Sequence, residues 1–157
     1  MGQKRPKVVK LQLTLREILN LQPAMAQLGE AKRVPITTAN KLARIQKKFK
    51  DELEIFRVNR EKLLTELGEA DPDNPANTRV KPENQAVFRE QMEEAMNEEI
   101  TLQFRPVALS AVGDKIEVNG YQNIVATLLD TVLVDDGEDQ DELDNAEPEE
   151  KEAGKGE

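Results

Sequence analysis

The 157-residue chain has no cysteine, no histidine and no tryptophan. The absence of Cys and His removes disulfide frameworks, zinc–thiolate sites, thiol nucleophiles and every His-based triad or metal set. Catalysis would rest on Asp, Glu, Lys, Ser, Thr or the single Tyr121, so the chain is not expected to be an enzyme or to carry a cofactor or metal. Aromatics amount to four Phe and one Tyr, so the core has to be built from Leu, Ile, Val, Ala and Met. No apolar run approaches the roughly 18–20 residues needed to cross a bilayer. The basic start MGQKRPKVVK is not followed by an apolar signal core, and Pro6 stands where a myristoylation site wants Ser or Thr. The expectation is a soluble intracellular protein with no membrane partner. Its length suits one domain of ordinary size.

Charge is abundant but unevenly placed. The chain carries −9 overall, while residues 135–157 hold twelve acids and two lysines, or −10. The rest is therefore near neutral. The stretch 135–157 has too few apolar residues to offset its ordering entropy, so a disordered acidic tail is expected. The acids of "DDGEDQDELD" do not fit a calcium loop, because Gly137 at the sixth position would put the first ligand at Val132. Such a tail can act as a solubiliser, shield a basic surface, or mimic nucleic-acid phosphates.

The pattern before the tail reads as α+β, mostly α. Val9, Leu11, Leu13 and Leu15 alternate with polar residues, as in a strand that leads into a helix. Thr14 and Glu17 form a capping box, and Leu13 with Ile18 a hydrophobic staple. Leu15, Ile18, Leu21, Met25 and Leu28 continue at helical spacing. Pro23 should kink or split this helix, and Gly29 should stop it. Leu42, Ile45, Phe49, Leu53, Phe56, Arg60, Leu63 and Leu67 then recur every three or four residues. They predict a long helix over about 38–67, capped by Thr37 or Thr38 and stopped by Gly68. Its roughly 45 Å length exceeds what one small core covers, so part of its stripe must meet something else. Only Arg60 breaks the stripe, and an arginine there should reach an edge carboxylate. Residues 69–77 read as a loop and 78–81 as a brief strand. Pro82 opens a helix bearing Val87, Phe88, Met92, Ala95 and Met96. Ile100, Leu102 and Phe104 suggest a half-buried strand, and Ile116 with Val118 a second. Asn119 and Gln122 suggest a capping box for a last helix that buries Tyr121, Ile124, Val125, Leu128, Leu129 and Val132. The expected organisation is a basic segment or strand at 1–13, one α+β domain at 14–134 and the acidic tail at 135–157. Within the domain, a kinked first helix and the long helix form a hairpin beside a small strand–helix module.

Two surfaces stand out. The apolar stripe, with Leu42, Ile45, Phe49, Leu53, Phe56 and Leu63, is a candidate coiled-coil-like interface, most simply covered in a homodimer. Residues 31–50 hold seven cations and no acid. Lys41, Arg44, Lys47 and Lys48 make a candidate anion-binding face. No aromatic interleaving or Gly-rich phosphate loop accompanies them, so nucleic acid is not the expected partner. The tail is expected to sample this basic face and to weaken its hold on other polyanions. Glu90, Glu93, Glu94, Glu98 and Glu99 are carboxylates that could pair for acid–base work, but at helical spacing they read as a polar face.

The segments "KLQLTLREILNLQPAMAQL", "VPITTANKLARIQKKFKDELEIFRVNREKLLTELGE" and "ITLQFRPVALSAVGDKIEVNGYQNIVATLLDTVL" follow in an order that resembles a family of small, mostly helical phage proteins. In that family a short helix precedes a long charged one ending in Gly, and a strand–loop–helix module closes the chain. The resemblance spans about residues 11–133 and brings no catalytic residues. It implies a phage or prophage origin, an accessory or virion-associated role, and a place in the host cytoplasm or the virion. The expected partner is a protein, phage structural or host. The alternative is an acidic inhibitor, or nucleic-acid mimic, aimed at a host nucleic-acid-binding or defence protein.

Overall fold

A computed structural model describes residues 6–136. It is mostly α with a small β content. Strand β1 (Val9–Thr14) leads into α1 (Leu15–Glu30), and the long α2 (Ile36–Leu67) follows. A short hairpin of β2 (Gly68–Ala70) and β3 (Thr78–Val80) turns the chain. A 3-10 turn at Pro82–Asn84 opens α3 (Gln85–Asn97), and β4 (Glu99–Phe104) follows. The chain then forms β5 (Val107–Ala108), α4 (Leu109–Val112), α5 (Tyr121–Leu128) and β6 (Leu133–Val134). β1 and β4 pair antiparallel with Val9 opposite Phe104 and Leu13 opposite Ile100. β5 and β6 pair parallel.

The core lies where α1, the first half of α2, the β1–β4 ribbon and α5 meet. Ile18, Met25, Leu28, Phe49, Val107, Val112, Leu128, Val132 and Leu133 are all nearly or fully buried there. Phe49 meets Phe104 edge-on, with ring centroids 6.1 Å apart, a favoured aromatic geometry. The predicted N-cap is present: the Glu17 amide donates to Thr14 Oγ1 at 3.2 Å. Leu13 and Ile18 are both buried beside it.

Several expectations are corrected. Pro23 does not split α1, which runs through it. Ala24, Met25 and Leu28 beyond it are as buried as Ile18 and Leu21 before it. Packing of both halves on one core thus offsets the roughly 3 kcal/mol cost of an internal proline. The helix ends not at Gly29 but at Glu30, followed by an extended Ala31. Neither Thr37 nor Thr38 caps α2. The helix starts after Pro35 with no side-chain cap. Thr38 instead sits inside it, buried, and its hydroxyl donates to the Ala111 carbonyl at 2.6 Å. Asn119 and Gln122 form no capping box. α5 begins after Gly120, which is left-handed at φ 72°, whereas a capping residue needs an extended backbone. The strand expected at Ile116 and Val118 is reduced to a single bridge, in which Lys32 and Glu117 exchange backbone hydrogen bonds of 3.0 and 2.9 Å.

Gly68 does end α2, for a different reason from the one its sequence position suggests. Its φ of −104° is open to any residue. A Cβ there would press on the Leu64 carbonyl and lie 2.9 Å from the carbonyl oxygen of Arg79. The helix turns into the β2–β3 hairpin so tightly that no side chain fits.

Candidate interaction surfaces

The apolar stripe of α2 divides into two parts. Leu42, Ile45 and Phe49 are core residues, at most 3% exposed, because α1 and the β1–β4 ribbon cover them. They are therefore removed from the candidate interface. Leu53, Phe56 and Leu63 are only half-buried, and Arg60 is exposed. Leu53 still packs against the core; beyond it, the second half of α2 has α3 and the β2–β3 hairpin as neighbours. Lys81 N and Asn84 Nδ2 both donate to the Leu67 carbonyl, at 3.0 and 3.2 Å. That pins the start of α3 beside the end of α2. Farther along, Arg16 of α1 donates to Glu93 at 2.9 Å. α3 thus runs back from the end of α2 toward the start of α1 and touches both helices; with the second half of α2 it forms a two-helix arm.

Two helices share one seam, and one seam does not close around its own apolar residues. Phe56, Leu63, Leu64 and Leu67 of α2 are all half-buried, as are Phe88, Met92 and Met96 of α3. α3 has no buried residue at all. On the far side of α2, Ile55 and Val58 stand 57% and 37% exposed, and Val87 of α3 is 44% exposed. Glu54, Arg57 and Glu61 are linked on the outer turns of the arm, with Arg57 donating to Glu54 at 2.6 and 2.9 Å and to Glu61 at 2.5 Å. The bond to Arg57 holds the Glu54 carboxyl below its usual range.

Three carboxylates of α3, Glu90, Glu93 and Glu94, line one open surface depression together with Arg89. Glu93 is engaged there, accepting from Arg16 at 2.9 Å and from Asn97 at 3.4 Å. Among the described residues no three carboxylates come close enough to hold a metal ion.

The second surface is a groove of about 740 Å³ between the first half of α2 and the open end of the β1–β4 ribbon. Lys41, Arg44 and Lys48 line it from α2, and Arg105 joins them from the end of β4. Its walls also include Val8, Ile45 and Phe104, and no carboxylate. Three of the four expected cations therefore meet here. Lys47, the fourth, points elsewhere and pairs with Asp51 at 2.9 Å. Arg105 was not foreseen: it reaches the groove because the end of β4 packs on α2, where Phe104 meets Phe49 and Lys48 bonds the Gln103 carbonyl. Two of the four have carbonyl partners: Lys48 Nζ donates to Gln103 O at 2.5 Å and Arg105 to Pro6 O at 3.0 Å. Among the described residues, none of the four groove cations pairs with a carboxylate.

At the end of the described chain, Asp136 is held against α4. Its carboxylate accepts from the Ser110 amide at 3.1 Å and from the Ser110 hydroxyl. Partial burial would raise its pKa, but these bonds outweigh it and hold the carboxyl below its ordinary value. The remainder of the expected tail, residues 137–157, lies outside the described residues.

No helix among the described residues is long and apolar enough to cross a membrane. Comparison with protein-family models, curated proteins and solved structures returns no match.

Proposed function

We propose that this is a non-enzymatic accessory or virion-associated protein of phage type, which acts by docking its α2–α3 arm on another protein, in the first place a second copy of itself. The half-open seam of the arm carries this reading. Phe56, Leu63, Phe88 and Met92 are too apolar to be left at a helix–helix edge and too exposed to belong to the core. Two such arms side by side would make a four-helix arrangement with a closed centre. The identical seam on each copy suits a two-fold interface. The order of segments over residues 11–133 supports the phage setting, and the lack of Cys and His supports a binding role over a catalytic one.

Sedimentation equilibrium over a wide range of concentration tests it. A dimer mass is expected for the parent chain, and a monomer mass for Phe56→Asp combined with Met92→Asp, with the helical circular dichroism retained. A monomer mass for the parent at every concentration overturns the self-docking reading.

A further inference from the structure

The basic groove is a different surface from the arm, and what fills it does not depend on how the arm is used. We propose that the groove is the seat of the chain's own acidic C-terminal segment, residues 137–157, with Leu143 over Val8 at its apolar edge and the flanking carboxylates on its cations. Four observations converge on this occupant. Four cations line the groove and none has a carboxylate partner among the described residues. The groove is not purely polar: Val8, Ile45 and Phe104 form part of its wall, and Val8 is 47% exposed. Residues 137–157 carry ten acids and two lysines, and Leu143 is their one branched apolar residue, set between Glu142 and Asp144. Ile45 and Phe104 are already covered by the fold, so Val8 is the open part of that wall, and a phosphate polymer would match the charge but leave Val8 uncovered.

The fourth observation is position. Asp136, bonded to Ser110, fixes where the segment leaves the fold. Ser110 lies on α4, and α4 is tied to the first turn of α2 by the bond from Thr38 to Ala111 O. The groove opens at Thr37, one residue away. From there to Lys48 is about 17 Å of helix, while the seven residues from Asp136 to Leu143 reach about 23–25 Å when extended. A segment tethered this close acts at an effective concentration in the millimolar range. It therefore competes with any free polyanion for the same cations.

The chain has no cysteine, so Asn145→Cys gives the full-length protein a unique thiol for a nitroxide label. The expected result at low salt is selective broadening of the amide signals of Lys41, Arg44, Gln103 and Arg105. The broadening should be lost near 1 M salt, where screening shortens to about 3 Å. It should also be lost in Lys41→Glu with Arg44→Glu, two side chains whose removal breaks no hydrogen bond to the rest of the described chain. Salt titration of the parent alone still decides the matter if that variant does not fold. Groove amides unaffected at low salt overturn the proposal, as does equal broadening along α3. Broadening of an isotope-labelled chain by a separate spin-labelled one places the segment on a second molecule and overturns occupancy in cis. Groove amides that shift with a short DNA but not with the spin label assign the groove to nucleic acid instead. An unchanged pattern in Leu143→Ser overturns the seat given to Leu143.

Discussion

Single residues at the junctions of this fold make contacts that their own neighbours in sequence do not announce. Gly68 is the sharpest case. Gly68→Ala forces a methyl onto the Leu64 carbonyl, so either the end of α2 or the β2–β3 hairpin must shift. The expected loss is roughly 1–3 kcal/mol, typical of overpacking, read as a lower denaturant midpoint at unchanged slope. Ser110 offers a test of a different kind. Its two hydrogen bonds depend on an ionised Asp136. The folded carboxyl titrates below its ordinary 3.8, so this tether contributes fully above about pH 3.8 and is lost as the pH falls below it. Ser110→Ala removes the hydroxyl bond, and the Asp136 pKa should rise. A carboxyl-detected NMR titration that shows no rise would mean the hydroxyl does not hold the carboxylate in solution. Thr38 belongs with these two. As a helix cap it would have been a local device, but it is a tether between α2 and α4.

The elements divide at the middle of α2, and the two phenylalanines on either side of that point should behave differently. Phe49 is fully buried against Phe104, so Phe49→Ala should cost about 3–5 kcal/mol. Phe56 is only partly buried on the arm. Phe56→Ala should cost clearly less in stability and act chiefly on association. Chemical denaturation and sedimentation on both variants check the pair. Equal losses of stability would mean the arm is as tightly packed as the core. The sequence was most legible where one local rule acted alone. The Thr14 cap, the leucine staple, the 3.6-residue stripe and the alternation in β4 each follow from neighbours within a few positions. It was least legible where distant segments decide. The stripe runs evenly from Leu42 to Leu67, and nothing in its spacing marks where α1 ends and cover is lost. Periodicity tells which face is apolar but not what lies against it. Likewise three groove cations could be read from one helix, whereas Arg105 arrives by the packing of the end of β4 on α2. β5 and β6 are two residues each, too short for alternation to show, and their parallel pairing spans 24 residues of intervening chain.

For the whole molecule, the described surface has two unlike ends. The arm presents half-covered apolar residues with carboxylates along α3, and the groove presents four cations. These call for different responses to salt. The proposed association through the arm would rest on apolar burial, so the dimer fraction should hold or rise between about 0.1 and 1 M salt. Binding of an added polyanion to the groove should fall steeply over the same range. A dimer that dissociates with rising salt would assign the contact to charge instead, with α3 of one copy against the groove of the next. The β1–β4 ribbon has a consequence in time. Val9 finds its partner only at Phe104, so β1 is made long before β4 exists. At ~5–20 residues per second, the interval during synthesis is roughly 5–20 s. Through it, α1 and α2 can already form their hairpin, while the apolar edge of β1 waits unpaired. The nascent chain is therefore most exposed to wrong strand partners, and to chaperones that hold extended apolar segments, before Phe104 emerges from the ribosome.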